Sequence, residues 1–468
     1  MAVALLAPGA ALAQSNSCGS ATLIAPGTYS GTTVGSTNDG SASCGSSASS
    51  PDVWYRIVPA QNGSLSATTC QAASYDTVLS IHNACGGGTE LVCNDDSCGL
   101  RSSVQTNVTA GTTYYIRVAG FAGATGTFTL EVALGEPGPP PGDGPDVIYS
   151  DIGGISHYGP VGGVHAYALG THTCNIGDVN LHWGGSWSGS PIVGFNAYRL
   201  SNGRLEQIGQ SFGKKACCAA AGSGCAIACN GVGGSLLGTG CRDIYGSSYN
   251  GSHGVLAPRS GVNAFTGAMT TPSSTTGDAI FKRLQVTQAD LSTPGALYFV
   301  EGVYVGNDDA PAGNALNNAS YKRVTVTAGT FAMNEQGVMA VGQPAIMAWR
   351  THGLGVNVED TSVTLGTADV PDEGRFHYAH KVTDLGNGTF RYDYAVFNLN
   401  SDRSGGSFSV PVPGGVTVVS TGFRDVNYHS GEPYANTDWT VSTSGGAVTW
   451  SSPQTFAQNP NSNALRWG

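Results

Sequence analysis

Three stretches of this chain alternate apolar and polar side chains with a period of two. Tyr114, Ile116 and Val118 alternate with Thr113, Tyr115 and Arg117; Phe128, Leu130, Val132 and Leu134 with Thr127, Thr129 and Glu131; Phe390, Tyr392, Tyr394 and Val396 with Arg391, Asp393 and Ala395. Successive side chains of a strand point to opposite faces, so each run predicts a strand with its apolar face buried. Clusters of Gly, Asn, Asp, Ser and Pro punctuate the chain at short intervals, as antiparallel sandwiches require. No segment sustains a helical period; the Ala-rich stretch from Lys214 to Ile227 is broken by Gly222 and Gly224. The expected fold class is all-β: tandem antiparallel β-sandwich domains, stabilised by disulfides.

The 12 Cys support export to an oxidising compartment. Six (18, 44, 70, 85, 93, 98) precede the segment Gly135-Glu-Pro-Gly-Pro-Pro-Pro-Gly-Asp-Gly-Pro145, and six (174, 217, 218, 225, 229, 241) follow it. Even clusters on either side of a Pro-rich spacer are what separately cross-linked domains would give. Connectivity stays open, although Cys85 and Cys93 flank Gly86-Gly87-Gly88 and are a plausible local pair. The spacing of Cys217, Cys218, Cys225 and Cys229 does not match a zinc ribbon. Ala11-Leu12-Ala13 fits a small-x-small cleavage site after an apolar stretch. The expected layout is a signal-peptide remnant over 1–14, a β-sandwich over 15–134, the linker 135–146, an immunoglobulin-like sandwich with a Cys-rich insertion over 147–330, and a third sandwich over 331–468. The last strand of that third domain is expected to be cut off.

Residues 15–134 resemble the bacterial pre-peptidase C-terminal (PPC-like) domain. The resemblance is carried by Asp52-Val-Trp-Tyr55, Ser66-Ala-Thr-Thr-Cys70, Tyr75-Asp-Thr-Val-Leu-Ser80, Cys93-Asn-Asp-Asp96 and Ala110-Gly-Thr-Thr-Tyr-Tyr-Ile-Arg-Val-Ala-Gly120. It implies a small sandwich with an accessory role in binding, stability or secretion, and some relatives bind calcium. Further on, Tyr298-Phe-Val-Glu-Gly-Val-Tyr-Val305 with Asn307-Asp308-Asp309 is similar to the closing hairpin of CARDB-type, Ig-like adhesion modules. It also looks faintly like the end of lysyl-oxidase-like domains, but their His-x-His-x-His copper cluster is absent, so copper oxidase activity is not carried over. Together the later regions resemble secreted β-sandwich proteins of environmental bacteria.

Net charge is −11 and charged residues are 11% of the chain. Nucleic acid and anionic membranes need clustered basic residues, so neither is an expected partner. Beyond the N-terminal stretch, no apolar run approaches the roughly 20 residues of a membrane span. Catalytic motifs are missing too. Gly184-Gly-Ser186-Trp-Ser188-Gly189 misses the Gly-x-Ser-x-Gly elbow, and there is no His-Glu-x-x-His. His377 and His380, three apart on an expected strand, would face opposite ways.

The candidate ligand residues are Trp183, Trp187 and Trp439, which sit among small polar residues and could stack on sugar faces, together with Asp425, His429 and Glu432 of the polar loop 425–439. Candidate calcium ligands are Asn94, Asp95 and Asp96 in the first domain and Asn307, Asp308 and Asp309 in the second, because hard oxygen donors in loops suit that ion. The expected function is a secreted or cell-surface modular binding or structural protein whose partner is an extracellular polysaccharide, protein or other surface component, with the periplasm as an alternative location. The competing reading is a secreted hydrolase or metal-dependent enzyme acting on an extracellular polymer, with the PPC-like domain as accessory.

Overall fold

The computed structural model describes residues 14–60, 63–85, 88–97, 99–135, 143–184, 190–219, 222–225, 228–270 and 276–468. The chain is nearly all β, 45% strand and 7% helix. It forms two compact units, residues 1–138 with 336–338, and residues 139–335 with 339–468. Most of the stretch expected to be a signal remnant, residues 1–13, lies outside the described residues.

The first unit contains β1 (Thr22–Leu23), β2 (Gly27–Thr32), β3 (Val53–Ile57), β4 (Gly63–Ala73), β5 (Thr77–His82), β6 (Glu90–Asn94), β7 (Ser103–Val108), β8 (Tyr114–Gly120) and β9 (Thr127–Gly135). These make a sandwich of a five-stranded sheet, β1-β3-β8-β5-β6, and a four-stranded sheet, β2-β9-β4-β7. Tyr114, Ile116, Val118, Phe128, Leu130 and Val132 are buried between the sheets with Tyr55, Leu65 and Leu79, as the alternation predicts. Arg117 is also buried, because Asp52 meets its Nε at 2.7 Å and the Ser47 and Ser50 carbonyls accept from it. Disulfides join Cys18 to Cys85 and Cys44 to Cys93. The expected local pair Cys85–Cys93 is therefore corrected: each of these residues is tied to a segment some fifty or more residues upstream instead.

The second unit contains β10 (Val147–Asp151), β11 (Ile155–Val161), β12 (Val164–Leu169), β13 (Thr171–Asn175), β14 (Leu181–His182), β15 (Ile192–Ser201), β16 (Arg204–Lys215), β17 (Leu236–Leu237), β18 (Arg242–Tyr245), β19 (Leu256–Ala257), β20 (Leu284–Thr287), β21 (Leu297–Val305), β22 (Ala319–Val326), β23 (Met333–Ala340), β24 (Val363–Val370), β25 (Gly374–Gly386), β26 (Thr389–Asn398), β27 (Ser407–Pro411), β28 (Thr440–Ser444) and β29 (Ala447–Ser451). A large sheet runs β11-β12-β20-β16-β15-β21-β22-β23, with β19 on β16. One core lies on one side of it (Tyr149, Tyr167, Trp183, Phe195, Tyr304) and a second on the other (Phe299, Trp349, Val363, Phe397, Trp467). Covered on both faces, β15 and β21 read as near-continuous apolar runs rather than alternating ones. Cys174–Cys225, Cys217–Cys218 and Cys229–Cys241 are disulfides, so these thiols are not zinc ligands.

Beyond the second core, β24-β25-β26 form an antiparallel sheet, and β27-β29-β28 another. Here the expected burial is reversed. Phe397, Ala379 and Val363 face the core, and Asp393 on the same side meets Arg391 at 2.7 Å and Arg204 at 3.3 Å. With a period of two, seating Phe397 inward sends Phe390, Tyr392, Tyr394 and Val396 to the opposite face. Two of these, Phe390 and Tyr392, are 50% and 56% exposed.

Candidate functional site

The polar loop 425–439 does not gather its ionisable groups into one site. His429 is buried, and its Nε2 lies 2.6 Å from the Gln210 carbonyl, to which it donates. Its Nδ1 has no hydrogen-bond partner, and burial holds the imidazole down to about 4, so the ring is neutral near pH 7. Glu432 accepts from the backbone amides of Arg259 at 2.5 Å and Ser260 at 3.2 Å. Asp425 accepts from Asn463 Nδ2 at 2.7 Å. The three side chains peg the loop to different neighbours. Glu432 ends at the segment of Arg259, a buried guanidinium that donates to the Phe195, Ser211 and Gly468 carbonyls and to Asn196 Oδ1.

Among the tryptophans, Trp183 is corrected from surface to core. It is fully buried and its Nε1 donates to Asp243 Oδ2 at 2.7 Å, so no ligand can stack on it. Small polar neighbours in sequence did not mean solvent, because Trp183 packs into the large sheet's core from a loop. Trp187 lies outside the described residues, as do Ser186 and Ser188. Trp439 is half-buried, stacked on Phe423 at 5.5 Å and 11°, with its Nε1 donating to the Asn463 carbonyl.

The acidic runs are placed as follows. Asn94 Oδ1 accepts from the Ser103 amide at 3.2 Å, while Asp95 and Asp96 lie close enough to Asp76 that, after burial, they help push its carboxyl up. Asp308 Oδ2 accepts from the His182 amide at 2.6 Å. Asp309 turns inward, is fully buried, and is pushed up to about 8 chiefly by burial, with Asp146 and Asp308 adding to it. Asn307 precedes them in the turn that follows β21 and Gly306. No group of three His, Cys, Asp or Glu side chains converges in metal-binding fashion among the described residues.

Two features were not legible in the sequence. His157 Nε2 and His165 Nδ1 are 2.9 Å apart, joined diagonally across the β11–β12 hairpin. The other is the outward face of β24-β25-β26. Tyr378 stands opposite Val396, His380 opposite Tyr394, and Val382 opposite Tyr392. Tyr378 is 41% exposed, Val382 also 41%. At one end Tyr394 packs on Phe408 at 5.4 Å and Trp450 at 6.5 Å, the two rings of the β27-β29-β28 sheet. Phe390, Tyr392 and Tyr378 continue this aromatic surface into solvent. The ionic residues Arg391 and Asp393 face away, on the other side of the strand. A cleft of about 450 Å³ lies elsewhere, lined by Leu291, Tyr298, Val324, Val326 and Phe331 among others, with no carboxylate or imidazole among its described lining residues.

Residues 15–132 match the profile of a T9SS-associated family described as galactose binding domain-like. No curated protein matches the chain. Among solved structures, the pre-peptidase C-terminal domain of a Bacillus anthracis collagenase is similar at 17% identity and a TM-score of 0.18, over 24% of this chain and 93% of that one. A putative β-galactosidase from Bacteroides fragilis is similar at 9% identity and a TM-score of 0.21, over 56% of this chain and 32% of that one. Bacteroides uniformis β-glucuronidase 2 is similar at 10% identity and a TM-score of 0.20, over 70% and 28%. The chain thus spans about a third or less of the two glycosidases. The family match and the two-sheet architecture agree that the first domain is a β-sandwich.

Proposed function

We propose that this is a secreted or cell-surface modular protein that binds an uncharged extracellular polysaccharide, with the outward aromatic face of β24-β25-β26 as the contact surface. The observation that carries the reading is the reversed burial of β26. An extended apolar face turned to water marks an interaction surface, and here the exposed rings of Tyr378, Phe390 and Tyr392 stand on it beside Val382. Tyr and Phe rings offer flat contact area at low entropy cost, which suits the apolar faces of sugar rings. The face carries little charge of its own and the whole chain is acidic, which favours a neutral polymer over a polyanion. The galactose-binding-like match at residues 15–132 supports carbohydrate as the ligand class and secretion as the route, as do the disulfides. The finer reading of that first domain as a PPC-like accessory module is part of this proposal.

The test is retention of the full chain on insoluble neutral polysaccharides, cellulose and chitin among them, for wild type, Tyr392→Ala and Phe390→Ala. Both side chains are half-exposed, so the variants should melt within a degree or two of wild type. Each should weaken retention by about tenfold, the equivalent of 1–2 kcal/mol of lost stacking. Unretained wild type, or variants retained as well as wild type, would refute the reading.

A further inference from the structure

The sequence placed a cation on three consecutive residues, Asn307, Asp308 and Asp309. The fold separates them and builds a different cluster. The loop 306–318 between β21 and β22 folds against the segment 143–147 that leads into β10. Asn314 Nδ2 donates to the Asp143 carbonyl at 3.0 Å and to the Pro145 carbonyl at 2.9 Å. Asn317 Nδ2 donates to both carboxylate oxygens of Asp146, at 3.0 and 3.2 Å. Asn318 Nδ2 donates to Asp309 Oδ2 at 2.6 Å, and the Val147 amide to Asp309 Oδ1 at 3.0 Å. Asp146 and Asp309 are thereby held side by side, both buried, although 163 positions separate them in the chain.

A buried carboxylate keeps its charge only where a cation or hydrogen-bond donors compensate it. The groups acting most strongly on Asp309 are burial, Asn318, the Val147 amide, Asp146 and Asp308, with no lysine or arginine among them. The second observation comes from the amides. Asn318 is only 1% exposed, and its Oδ1 has no hydrogen-bond partner among the described residues; nor has the buried Oδ1 of Asn317. A carboxamide is rigid, with its oxygen a little over 2 Å from its nitrogen, so the Asn318 oxygen lies within about 5 Å of the Asp309 carboxylate. Leaving a buried acceptor unmade costs about 1–3 kcal/mol. Each of these amide oxygens lies beside the carboxylate that its own nitrogen reaches, so four side chains bring hard oxygen donors to one junction.

We propose that Asp146, Asp309, Asn317 and Asn318 form a binding site for one hard divalent cation, calcium. Calcium takes six to eight oxygen ligands in flexible geometry, mixing carboxylates, amide oxygens, backbone carbonyls and water. Each Asp309 oxygen keeps a lone pair beyond the hydrogen bond it accepts. Because Asp146 directly follows the Pro-rich segment, the ion would clamp the entry of this unit to the loop 306–318. The proposal stands independently of the polysaccharide reading.

The experiment is calcium titration by calorimetry into the full chain after chelator treatment, for wild type, Asp309→Asn, Asn318→Ala and Asn318→Asp, with Asp95→Asn/Asp96→Asn as control. Wild type should bind one equivalent that Asp309→Asn and Asn318→Ala weaken by at least about tenfold. Asn318→Asp and the control should keep it. Hydrogen exchange of the wild type covers the case of a variant that does not fold: calcium should slow exchange at 143–147 and 306–318, and magnesium should not. No calcium binding in the millimolar range, unchanged binding in both weakening variants, or no calcium-dependent protection of those two segments would overturn the proposal.

Discussion

Lys214 gives the sharpest test of the energetics. It lies in β16, fully buried, and its Nζ has no hydrogen-bond partner among the described residues. The ammonium sits 3.4 Å from the centroid of the Tyr245 ring. Burial holds the amine down from 10.5 to about 7, against the pull of Asp243. The unfolded chain therefore keeps a proton between pH 7 and 10.5 that the folded chain has lost, so this residue makes stability rise with pH across that window. Below pH 7 both states are charged and the folded state carries the whole desolvation cost, roughly 5 kcal/mol. The Tyr245 ring offsets about 2 kcal/mol of it. Lys214→Met keeps the stem's bulk and removes the charge. It should stabilise the unit by about 2–3 kcal/mol at pH 7 and by only about 1.4 kcal/mol at pH 9.5. Urea unfolding of both proteins at the two pH values, followed by tryptophan fluorescence with the disulfides intact, measures this directly. A difference that is the same at both pH values, or a variant less stable than wild type at pH 7, would show that Lys214 is not held against its own solvation.

Two further outcomes follow from buried ionisable groups. Arg117→Met should destabilise the first unit by about 3–5 kcal/mol in urea, since Asp52 is left buried without its cation. Adding Asp52→Asn should recover most of that loss, and no recovery would mean that the arginine acts through packing alone. His377 faces the second core with neither ring nitrogen hydrogen-bonded, and burial holds it down to about 4. The unfolded chain takes up this proton below pH 6.5 while the folded chain does not, so stability should fall by roughly 3 kcal/mol between pH 6.5 and 4. His377→Leu should remove that contribution, which parallel acid titrations of the unfolding free energy would reveal; parallel slopes would sink the assignment.

The first sandwich was legible because its strands pack against one another within about 120 residues. The Tyr114 to Val118 and Phe128 to Leu134 alternations face one core with one apolar side each, and both point as the pattern predicts. The pattern misled at β26 because that strand packs by its Phe397 end onto a sheet whose strands begin nearly two hundred residues earlier. Trp183 misled for a related reason. Its neighbours in the chain are Gly and Ser, but its neighbours in space are Tyr245 and Asp243.

By itself the sequence determined the strand-rich fold, the division of the cysteines by the linker and the absence of a charge pattern for nucleic acid. Those follow from local chemistry: side-chain period, turn residues and composition. Only the tertiary structure decided which cysteines pair, which face of β26 meets water, and that Asp146 comes close to Asp309 in addition to its chain neighbour Asp308. Each of these depends on atoms brought together across long loops, and a period of two specifies that a strand has two faces without saying which one the rest of the chain will cover.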